Sequence, residues 1–188
     1  MATSETAIAN SALMKLGAER ILSLNDDTRE ARILKEQYEK VRDDLLRSHP
    51  WNFAIERVTL AALTTTPAFG FTYEYQVPTD CLRILEIDTG NEGEEWQKEG
   101  DKIRSDVSPM SIKYVKKVTD PNLFDANFAE VLAIKLASDV CYAITQSTTL
   151  KAALLDEYKA KIREARSFDG QEGGTRQVYA RQWLNSRY

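Results

Sequence analysis

Apolar residues change their spacing twice along this chain, and those two changes limit its architecture more than any other feature. From Ala31 through Leu34, Tyr38, Val41 and Leu45 they recur every three or four positions, the mark of a helix with one buried stripe. From Trp51 to Val77 they fall on alternate positions, most regularly at Phe71, Tyr73, Tyr75 and Val77, as in a strand with one buried face. After Asp125 helical spacing returns: Phe128, Val131, Leu132, Leu136 and Val140, then Leu150, Leu154, Tyr158, Ile162 and Ala165.

Local signals place the ends of these elements. A first helix is expected from Ser4 to about Leu16, with Thr3 or Ser4 as cap and Gly17 as stop. Asp27 and Glu30 resemble a capping box for the second helix, residues 28–48, about 30 Å long. Its remaining positions, such as Arg32, Lys35, Glu39 and Arg42, read as a charged outer surface. Pro50 ends it, because a residue before proline is driven out of helical geometry. The alternation slips by one residue between Ile55 and Val58, which predicts a bulge or a bend near Arg57. The strands of residues 50–119 predict one antiparallel sheet of four to six strands. Asp125 caps a third helix, apolar nearly all round over 127–145. Thr148 or Thr149 caps a fourth that runs to about Phe168. The fold class read from this is α+β, mainly helical. A four-helix bundle comes from 1–49 and 120–169, a β insert from 50–119, and a C-terminal arm from 170–188.

The 188 residues suffice for one core. No apolar run is long enough to span a membrane, and the start of the chain has no signal-peptide pattern; a cytoplasmic site of synthesis is expected. Cys81 and Cys141 lack metal-ligand spacing and read as unpaired core thiols. Residues 1–169 hold 22 basic and 28 acidic side chains, a net −6. An acidic body of this kind argues against an electrostatic grip on nucleic acid.

No catalytic constellation emerges. His49, the only histidine, has no orienting carboxylate near it in sequence, and reads as a turn residue. The acid pairs Asp26/Asp27, Asp43/Asp44 and Glu94/Glu95 read as cap, solvated surface and turn. No cofactor, metal or phosphate-loop motif occurs. The aromatic row Phe71, Tyr73, Tyr75 lacks the basic flanks of a base-stacking platform and reads as core. Residues 170–188 carry a net +2. There Arg176, Arg181 and Arg187 interleave with Tyr179, Trp183 and Tyr188, the residue types enriched at interface centres. Three readings of this arm stand: a loose end, a partner-binding arm, and a short nucleic-acid arm.

Three segments, Trp51-Asn52-Phe53-Ala54 with Arg57, Phe71…Tyr75-Gln76-Val77-Pro78-Thr79-Asp80-Cys81-Leu82-Arg83, and Asp120-Pro121…Phe124-Asp125…Phe128, occur in a distinctive order. Together they resemble the tail tubular protein A, or head-to-tail adaptor, family of short-tailed bacteriophages and prophages, over roughly residues 4–168. The resemblance implies a structural virion protein rather than an enzyme, assembled in a bacterial cytoplasm. It implies a dodecameric ring between portal and tail nozzle that closes the packaged head, with DNA leaving through its lumen without specific binding. It makes Arg176, Tyr179, Arg181, Trp183, Arg187 and Tyr188 the expected portal contacts. A tail-borne glycan hydrolase is the alternative from another class, needing two carboxylates across a cleft; a nucleic-acid-binding module is a further one.

Overall fold

The computed structural model describes residues 4–88 and 95–172 and is α+β. Helices α1 (Glu5–Leu16), α2 (Arg29–Ser48), α3 (Ala126–Thr145) and α4 (Thr148–Gln171) flank strands β1 (Ile55–Leu60), β2 (Tyr73–Gln76), β3 (Cys81–Asp88), β4 (Trp96–Glu99), β5 (Lys102–Ser105) and β6 (Met110–Lys116).

The helix ends follow cap chemistry. The Ser4 hydroxyl accepts from Ala7 N–H, and Gly17 ends α1 at φ 67°, a left-handed geometry in which glycine avoids the Cβ clash. Thr28, rather than Asp27, caps α2 by accepting from Ala31 N–H. Asp125 caps α3. Ser147, one residue before the expected threonines, caps α4. Helix α3 is buried nearly all round, as its sequence requires, because α1, α2 and α4 each pack against it.

The β region forms two antiparallel three-stranded sheets, not one: β1-β6-β3 and β2-β5-β4. They enclose a second core of Tyr75, Val77, Ile103, Met110, Ile112 and Tyr114. The insert is not detached, since Val115 and Val118 are buried in the helical core with Leu82 and Leu85 packed against it. The expected bulge near Arg57 is absent, and β1 pairs in unbroken register from Ile55 to Leu60. The slip in spacing marks instead the end of a 3-10 turn, Asn52–Ala54. Irregular register lies in β3, between Cys81 and Arg83 and between Ile84 and Glu86. Both cysteines are unpaired; Cys141 is buried and Cys81 only half-buried.

Candidate functional site

The chain leaves α2 through His49, whose extended backbone (φ −146°, ψ 145°) is the one Pro50 demands. The 3-10 turn then drops Trp51 inward until it is fully buried. Its indole N–H donates to the Leu45 carbonyl at 3.1 Å, so the polar atom of a large buried ring is satisfied. Trp51, Phe53, Phe124 and Phe128 form one aromatic cluster, with neighbouring ring centroids 5.0–6.3 Å apart. Edge-to-face pairs predominate, the arrangement that ring quadrupoles favour. The His49 ring meets Trp51 edge-on at 4.8 Å.

The last turn of α4 closes on this joint. Asp169 Oδ2 lies 3.0 Å from His49 Nε2, and Oδ1 accepts from Asn52 N–H at 2.9 Å. The Asn52 side-chain amide donates to the Asp169 carbonyl at 2.5 Å, and one turn earlier Arg166 donates to the Ser48 hydroxyl. An open cleft of about 380 Å³ lies alongside, lined by His49, Asn52, Leu85, Glu86, Lys113 and Asp169 among others. No carboxylate near His49 in sequence orients it; Asp169, 120 positions away, is adjacent in space. Both oxygens of Asp169 are engaged. The pairing therefore holds two elements together.

No family model matches the chain, and no curated protein matches it.

The six arm residues Arg176, Tyr179, Arg181, Trp183, Arg187 and Tyr188 lie outside the described residues, as does Glu94. Asp26 accepts from Leu22 N–H and Ser23 N–H and so closes a turn. Asp43 is not simply solvated: it pairs with Arg42 and, at 2.8 Å, with Lys117 beyond β6. Arg47 reaches the Leu82 carbonyl. Part of the charged side of α2 thus holds the β insert. Tyr75 is fully buried, as the core reading of the aromatic row requires, with Tyr73 partly buried beside it. Among the described residues no group of three or more His, Cys, Asp or Glu is placed to hold a metal ion, and no described helix is long and apolar enough to cross a membrane.

Two buried charges escape sequence reading. Arg42 looked exposed, yet it is 1% exposed, pairs with Asp43 at 2.9 Å, and lies over the Tyr38 ring. Burial is the main cause that pushes the Tyr38 hydroxyl above its ordinary range. Glu74 falls on the polar side of its strand pattern, yet it is 4% exposed. Lys102 Nζ lies 2.7 Å from it, Arg104 Nε 3.3 Å, and the Thr65 hydroxyl donates from the covering loop. The opposite charges Lys102 and Arg104 in the facing strand were the available signal.

Proposed function

We propose that this chain is a structural virion protein of the head-to-tail adaptor kind. It would form a ring between portal and tail nozzle that closes the filled head and bounds the DNA exit channel. The observation that carries the reading is the meeting of separate resemblance segments in one packed joint. Trp51 and Phe53 come from the first, Phe124 and Phe128 from the third, and their rings are in contact. Residues that mark the resemblance thus specify how the helical body joins the β insert, so what they carry across is architecture. The arrangement of α1–α4 as a four-helix bundle belongs to the same proposal, supported by the packing of three helices against α3.

In this reading the helical body makes the head-to-tail ring contacts, the arm 175–188 docks on portal subunits, and the insert faces the nozzle. Mass measurement of the purified chain, alone and mixed with portal rings, tests it. A defined ring is expected on the portal, and loss of attachment is expected when residues 175–188 are deleted. No association with portal by the full chain sinks the reading, whereas unaltered attachment of the deletion sinks only the arm's role.

The cleft gives the glycan-hydrolase alternative its one point of support, since Glu86 and Asp169 both line it. Against it, Asp169 already accepts from two donors, which ties the carboxylate to its neighbours. Turnover of cell-wall polysaccharide that disappears in Glu86→Gln and Asp169→Asn variants would favour the enzyme.

A further inference from the structure

The longest uncharged stretch of this chain lies in the β insert, from the second half of β1 to the start of β2. Sixteen consecutive residues, Val58 to Tyr73, contain no Asp, Glu, Lys or Arg, although charged residues make up 29% of the sequence. Most of them lie in the connection between β1 and β2. There Phe69 is 86% exposed, with Ala61, Ala62 and Ala68 also exposed. Both limbs of the connection are fixed. On the first, Ala62 bridges to Tyr75 and Leu63 N–H donates to the Glu74 carbonyl at 2.8 Å. On the second, the Thr72 N–H and hydroxyl both donate to Asp106 Oδ1 at 2.8 Å. An aromatic ring held out on an ordered base loses little conformational freedom when it binds.

The surroundings say what such a ring could meet. Tyr73, Ser105 and Trp96 lie in one row across the β2-β5-β4 sheet. The residues beside this row, Glu95 before Trp96 and Asp106 after Ser105, are exposed carboxylates. Trp96 is itself partly exposed. The first cation inward, Arg104, is paired with Glu74 and Glu99. An apolar centre inside a polar rim is how protein interfaces are built. An acidic rim is repelled by anionic bilayers and complements lysine or arginine.

We infer that this connection docks into a separate protein, whose apolar socket receives Phe69 and is bordered by Lys or Arg side chains. The inference stands apart from the adaptor reading, because it requires only a partner of that chemistry.

The test replaces Phe69 with p-benzoylphenylalanine in the full chain, irradiates cells in which the protein is native, and maps the adducts by mass spectrometry. Adducts are expected at one apolar site of another protein with Lys or Arg beside it. With that protein purified, Phe69→Ala weakens binding by about tenfold or more. Glu95→Lys slows association at low salt. Vesicles of phosphatidylcholine, with or without phosphatidylglycerol, are expected not to retain the chain. Adducts confined to lipid or to a second copy, scattered or absent adducts, a socket bordered by carboxylates, or binding indifferent to Phe69→Ala would each overturn the proposal.

Discussion

A carboxylate buried inside a small sheet persists only while its charge is met, and Glu74 is met by two cations. The hydrogen bond from Lys102 is the main cause holding its carboxyl below the ordinary value of 4.5. Burial works the other way, and the charges of Lys102 and Arg104 and the Thr65 hydroxyl add to the lowering. The folded protein therefore takes up this proton less readily than the unfolded chain does. The stabilisation is complete above the ordinary glutamate value and is lost as pH falls through the lower folded one. Glu74→Gln takes from Lys102 and Arg104 the counter-charge they share, leaving Arg104 only Glu99, so it is expected to be less stable than the wild type at neutral pH. That gap should narrow below about pH 4.5. Urea midpoints of both proteins between pH 7 and pH 3 check this; a gap that stays constant with pH would refute it. Sequence alone does not expose this group, because period two assigns Glu74 to the polar side. The loop that covers it is set by contacts made only after folding.

Elements were legible where local chemistry decides them, and their ends were not where distant contacts do. Gly17, Pro50 and Asp125 act within a few residues of themselves, so three helix boundaries follow from the sequence. Helix α4 runs past the expected Phe168 to Gln171, because Asp169 is fastened to His49 and Asn52 across the joint. No local pattern encodes that contact. Likewise Trp51 and Phe53 share the spacing of a strand, but they lead into and occupy a 3-10 turn that carries them into the helical core. The division into two sheets was illegible for the same reason: strand periodicity gives the buried face and not the partner strand. If Asp169 holds the end of α4, Asp169→Ala should release it. Amide exchange over residues 166–171 is expected to quicken about tenfold or more, with α1, α2 and most of α3 unaffected. Unchanged exchange in those residues would show that intrinsic helicity suffices.

At the scale of the whole molecule, the question is whether two cores make one cooperative unit or two. Strand β6 answers through its own side chains. Ile112 and Tyr114 face the core between the sheets, while Val115 is buried in the helical core. One seven-residue strand thus contributes side chains to both, and Asp43–Lys117 and Arg47–Leu82 tie α2 to the same region. Neither core can lose its share of β6 without disturbing the other, which favours a single all-or-none transition. The truncation Val115→Ala is expected to cost about 1–3 kcal/mol, and it should lower the stability of helices and sheets together. Far-UV circular dichroism reports the helices, and amide exchange at Ile103 and Ile112 reports the sheets. Loss of helical signal at a lower urea concentration than sheet protection would mean that the insert survives alone. Coincident shifts would mean that the joint at Trp51 and β6 transmits strain from one body to the other. A protein bound between two larger partners would use that coupling, because this joint carries a load on one end to the other.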